Sequence, residues 1–104
     1  MAKIQKLNKE ESIVLFEKII NCIKKQEKGF FVFKKLKLVQ GWCEWDSIVL
    51  DYRKELIPTI IHECIHLLEP SWSESQVTYA EKRILNSITI DDVTRLLMFF
   101  VKKI

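Results

Sequence analysis

The stretch Leu56-Ile57-Pro58-Thr59-Ile60-Ile61-His62-Glu63-Cys64-Ile65-His66-Leu67-Leu68 reads as one amphipathic helix. At about 100° per residue, Leu56, Ile57, Ile60, Ile61, Cys64, Ile65, Leu67 and Leu68 fill roughly half of the helical circle. Thr59, His62, Glu63 and His66 fall in the other half, so one side suits burial and the other suits a cleft. Pro58 fixes the start, because proline is tolerated in a first turn and damaging further in. Both histidines of the chain lie here, spaced as H-E-x-x-H. Residues four apart share a face one turn apart, so the two imidazoles can close on a single metal ion. Glu63, between them, points to the metal's open side, where a carboxylate can take a proton from water.

Two histidines are not a complete zinc site; a third protein ligand is needed, with a fourth position left for water. The sequence downstream offers it. Pro70-Ser71-Trp72 ends the motif helix, and Ser73 with Gln76 three positions on has the form of a capping box. The helix that follows, Glu74 to Ser87, has an inner face of Val77, Ala80, Ile84 and Ile88. Glu74 and Glu81 lie about 60° and 40° from Val77 on the same wheel, inside that apolar arc. Carboxylates on an inward face are costly unless paired or metal-bound. Two antiparallel helices joined by a tight turn put Glu74 slightly short of the histidines and Glu81 slightly beyond them. Geometry leaves both open as metal ligand. Glu74, close to the turn, is preferred, with Glu81 accepting from an imidazole N–H or pairing with Arg83 or Arg95.

His62-Glu63-Cys64-Ile65-His66-Leu67-Leu68, then Pro70, then Ser73-Glu74-Ser75-Gln76-Val77 resembles the minimal gluzincin-type zinc metallopeptidase domains. The likeness runs from about Gly41 to Ile88 and includes the strand Ile48-Val49-Leu50-Asp51. It implies a Zn2+ site of His62, His66 and Glu74, with Glu63 as general base in peptide-bond hydrolysis. It also implies that a loop or chain end can occupy the cleft in a latent state. The chain departs from the pattern at Cys64, where an aliphatic residue or alanine is more usual. Trp72 rules out an H-x-x-G-x-x-H extension.

The remainder reads as scaffold for a single domain over residues 1–104, of α+β class. Asn8 and Glu11 can box the start of an N-terminal helix with a stripe of Ile13, Phe16, Ile20 and Ile23, widened by Val14 and Ile19; Gly29 suits its end. Residues 30–39 are rich in strand formers, Gln40-Gly41 marks a bulge or bend, and Trp42-Cys43 continues the strand. Glu44-Trp45-Asp46 turns it into a strand from Ile48 to Tyr52. A small antiparallel sheet of up to three strands thus precedes the motif helix, and its edge could align an extended peptide. Thr89 caps a C-terminal helix with Asp91 and Asp92 in its first turn. Val93, Leu96, Leu97, Phe100, Val101 and Ile104 form its apolar stripe, while Met98 and Phe99 extend the apolar surface beyond one interface. The chain is therefore either a monomer with a deeply packed last helix or a homodimer through it.

Composition narrows the function classes. No apolar run approaches the ~20 residues needed to span a bilayer, and the first residues lack a signal-type apolar stretch. A cytoplasmic protein without membrane partners is expected. Cys22, Cys43 and Cys64 are odd in number and form no C-x-x-C pair, so neither disulfides nor a thiolate zinc site is expected. The first 40 residues carry ten lysines against four glutamates, but no nucleic-acid module accompanies them, so nucleic acid is not the expected partner. A peptide or protein substrate is. The competing readings are a latent or non-catalytic zinc protein and a nucleic-acid-associated accessory protein. Trp42, Trp45 and Trp72 are candidates for a substrate pocket, and Tyr79, Tyr52 or an arginine for a second electrophile.

Overall fold

The computed structural model describes residues 7–36, 41–44, 46–51 and 55–104. Its elements are α1 (Lys9–Lys25), β1 (Phe31–Phe33), β2 (Gly41–Glu44), β3 (Ser47–Leu50), α2 (Leu56–Leu68), α3 (Glu74–Ser87) and α4 (Ile90–Val101). The readings placed on residues 1–6 and 37–40, and on Trp45 and Tyr52, lie outside the described residues.

Three helices begin at reciprocal capping boxes. The Asn8 side chain accepts from the Glu11 N–H while Glu11 accepts from the Asn8 N–H; Ser73 with Gln76 and Thr89 with Asp92 repeat the arrangement. Each box satisfies backbone donors that a helix start leaves unpaired, which is why these boundaries match the sequence reading. Gly29, at φ 94°, supplies the left-handed residue after α1.

The fold is α+β, with three strands, but the sheet is mixed rather than antiparallel. Its order is β1-β3-β2. β2 and β3 form an antiparallel hairpin, with Trp42 opposite Val49 and Cys43 opposite Ile48. β1 lies parallel to β3 on the other side, with Phe31 opposite Ile48 and Phe33 opposite Leu50. Trp42-Cys43 is thus a separate strand. β2 stands at the edge away from β1 and runs opposite to it, and the hairpin reverses the chain once more, so β3 at the centre points the same way as β1. Lys34 N–H still donates to the Leu50 carbonyl, and Leu36 N–H donates to the buried Asp51 carboxylate at 2.9 Å. The outer edge of β1 is covered from far along the chain: Gly29 and Phe31 N–H both donate to the Lys103 carbonyl at 3.0 Å.

The core lies between the sheet and the helices, built from Phe16, Ile20, Phe31, Ile61, Ile65 and Phe100 among others. β3 is buried on both faces, so its Ile48-Val49-Leu50 run is apolar without alternation. Two helices bury less than their stripes suggest. On α1, Ile13 and Val14 are exposed, while Ser12 turns inward and donates its hydroxyl to the Asn8 carbonyl at 2.8 Å. On α4 only Leu96 and Phe100 are fully buried. Phe100 packs on Phe31, ring centroids 4.6 Å apart, and that line of contact is too narrow to cover Val93, Leu97, Val101 and Ile104 as well. Among the described residues no helix is long and apolar enough to cross a membrane.

Candidate metal centre

The helix α2 spends three faces, not two. Ile60, Ile61, Cys64 and Ile65 enter the core. Thr59 and Glu63, expected on the open side with the histidines, are instead 5 % and 7 % exposed because they pack beneath β2. Gly41 makes that approach possible. A Cβ there would stand 2.8 Å from the Val49 carbonyl oxygen, 2.9 Å from Thr59 Cγ2 and 3.5 Å from Glu63 Cγ. The bulge or bend expected at Gln40-Gly41 is instead, at Gly41, the first residue of β2, and a glycine inside a strand often marks close backbone approach.

His62 and His66 occupy the remaining face, toward α3, with ring centroids 4.9 Å apart. The capping box at Ser73 starts α3 beside them. Glu74, in its first turn, lies with Oε1 2.8 Å from His62 Nε2 and 2.7 Å from His66 Nε2. Two turns later Glu81 Oε1 lies 2.7 Å from His62 Nδ1. Glu74 therefore joins both imidazoles at their distal nitrogens, while Glu81 holds the first imidazole from behind. An N–H on Nδ1 donating to Glu81 fixes the orientation of His62 with Nε2 toward His66 and Glu74.

The donor atoms of His62, His66 and Glu74 all lie within 4.8 Å of one another. Donors bound to a tetrahedral zinc at 2.0–2.1 Å stand roughly 3.3 Å apart. The hydrogen-bonded separations here fall short of that by only about half an ångström. Side-chain rotation closes such a gap, and Glu74, 69 % exposed, is free to rotate. Two imidazoles and one carboxylate fit a divalent metal such as zinc.

Electrostatics follow the same geometry. Burial alone would lower the His62 pKa, but hydrogen bonds to Glu81 and Glu74 outweigh it and hold the value above the ordinary range. Burial also opposes the charge on Glu74, yet its bonds to the two imidazoles keep its pKa below the usual carboxylate value. Glu63 goes the other way: burial raises its pKa, offset in part by the nearby histidines. The two carboxylates beside the same imidazoles are thus pushed apart, the pattern expected of a ligand and a proton carrier.

A cavity of about 550 Å³ opens onto this cluster, with Trp42, Glu63, His66, Leu67 and Glu74 among its walls. Of the two tryptophans among the described residues, Trp42 is placed there. Trp72 lines a separate cavity with Leu7 and Val14, and Trp45 lies outside the described residues. The candidate electrophiles Tyr79, Arg83 and Arg95 do not line the metal-side cavity. Tyr79 Oη accepts from Leu7 N–H, Arg83 Nε donates to the Leu7 carbonyl, and Arg95 pairs with Glu17. The three cysteines are free, and Cys64 is fully buried with its thiol pKa pushed well up, outside the histidine cluster. Comparison of the chain with protein-family models, with curated proteins and with solved structures gives no match.

Proposed function

We propose that the protein is a zinc-dependent metallopeptidase of gluzincin type, acting on a peptide or protein substrate as a single cytoplasmic domain. The observation that carries this reading is the meeting of His62 Nε2, His66 Nε2 and Glu74 Oε1 beside a cavity lined by Glu63, His66 and Glu74. Zinc held by those three residues would polarise the scissile carbonyl and make water acidic near neutral pH. Glu63 is the base: its buried carboxylate takes the proton of the attacking water and returns it to the leaving nitrogen. Burial raises the Glu63 pKa, which makes its carboxylate the readier to accept a proton. Glu81 is a positioning residue that holds His62 through Nδ1. Trp42, partly exposed on the cavity wall, offers an apolar contact to a substrate side chain.

The test is elemental analysis of metal-replete protein followed by mass-spectrometric analysis of a peptide library. One zinc per chain with cleavage that Glu63→Gln abolishes, while zinc is retained, is the expected result. Zinc without cleavage would favour a non-catalytic zinc protein. No zinc in metal-replete protein would overturn the reading outright.

A further inference from the structure

The outward side of α4 is apolar where a solvated helix would be polar. Ile90 is 82 % exposed, Met98 56 %, Val101 59 % and Ile104 41 %. At about 100° per residue, Ile90, Thr94, Met98 and Val101 fall within an arc of about 80° on α4, and Ile104 follows just past its end. Thr94, in the same arc, spends its hydroxyl on the Ile90 carbonyl at 2.9 Å, so it adds no polar claim on water. A contiguous exposed apolar stripe of this kind marks an interaction surface.

The charges along the stripe say what covers it. Asp91 stands at its start and Lys102 at its end, within about 20° of each other on the wheel and roughly 16 Å apart along the axis. Among the described residues neither makes an ion pair within the chain. A helix with an acid at one end of a flank and a base at the other complements itself when a second copy runs antiparallel. A twofold axis between Leu96 and Leu97 sets Asp91 level with the partner's Lys102, and Lys102 level with the partner's Asp91. The same register brings Thr94 to within a residue of the partner's Met98, and Ile90 to within a residue of the partner's Ile104 just past the helix end. The two macrodipoles oppose, which is also favourable. A stripe built for an anionic membrane would be flanked by bases at both ends, and Asp91 and Asp92 occupy one of them.

We infer that α4 is the interface of an antiparallel, twofold homodimer with paired Asp91–Lys102 contacts. One helix pair lies at the small end of specific interfaces, so dissociation in the micromolar range is expected. Sedimentation equilibrium from low micromolar to submillimolar chain reads it directly. D91K and K102D each place like charges at two symmetric contacts, and each should weaken the dimer about tenfold. D91K/K102D should restore it, and D91K mixed with K102D should form a heterodimer. V101D, which buries a charge in the stripe, should leave monomer only. The inference is overturned if the wild type stays monomeric throughout, or if D91K and K102D dimerise like the wild type. A monomeric wild type that co-sediments with phosphatidylglycerol vesicles would overturn it in favour of a membrane surface.

Discussion

Replacing Glu81 separates a metal ligand from the group that holds one. Glu81 and His62 are both about one-sixth exposed (17 % and 16 % at the side chain), and their hydrogen bond is 2.7 Å long. A hydrogen bond involving a charged group at that depth is worth about 1.5–3 kcal/mol net. If His62 relies on it to stay oriented when metal binds, Glu81→Ala should weaken zinc affinity about 10–100-fold. That range is equivalent to about 1.4–2.7 kcal/mol, so the bond and the ligand effect agree in size. Glu74→Ala, which removes a donor atom, should cost more. Glu81→Gln keeps a carbonyl acceptor and should fall at the small end. Competition for zinc against a chromophoric chelator measures all three. An independent readout is the His62 imidazole titration by NMR in metal-free protein, which should move down in Glu81→Ala because a raising partner is gone. Zinc affinity unchanged in Glu81→Ala, or lowered more than in Glu74→Ala, would refute the division of roles.

Other outcomes follow from the same structure. Gly41→Ala drives a Cβ to within 2.8–2.9 Å of the Val49 carbonyl and Thr59; it should cost about 1–3 kcal/mol, seen as a fall in Tm of about 4–8 °C per kcal/mol. An unchanged Tm would mean that β2 does not press on α2. Phe100→Ala, at the Phe31 contact, should cost about 3–5 kcal/mol in urea unfolding; a loss under 1 kcal/mol would mean that α4 is not docked on β1. In metal-free protein His62 has a raised pKa, so its stabilisation is complete below its ordinary 6.5 and fades as pH climbs through the folded value. Glu74 is lowered, so its share is complete above 4.5 and fades as pH falls through the folded value. The His62 and Glu74 shares are therefore both complete between about pH 4.5 and 6.5. Zinc must displace the His62 proton, so the zinc-induced rise in Tm should grow with pH above that window; a rise independent of pH would contradict it.

The sequence was most readable where one residue's chemistry decides a local event. Asn8, Ser73 and Thr89 announce helix starts because their side chains can satisfy free backbone donors, and all three do so. The spacing of His62, His66 and Glu74 was readable for a related reason: helix periodicity and a short turn leave little freedom in where α3 begins. Sheet topology was not. Alternation along a strand says which side is buried but nothing about its partner, and Phe31–Phe33 is too short to alternate usefully. The α4 stripe misled in a different way. Apolarity at Val101 and Ile104 is real, but a periodic pattern cannot tell a surface covered by the chain's own core from one left open.

The bond from Gly29 and Phe31 to the Lys103 carbonyl bears on how the chain is made. Synthesis runs from the N-terminus, so β1 and its neighbours exist before Lys103 and Phe100 are available to them. Throughout that interval one side of the sheet offers unpaired backbone donors and bare phenylalanine rings, the combination that recruits stray strands. Partial chains should therefore be the sticky species, and their capture by a holdase would end when α4 arrives.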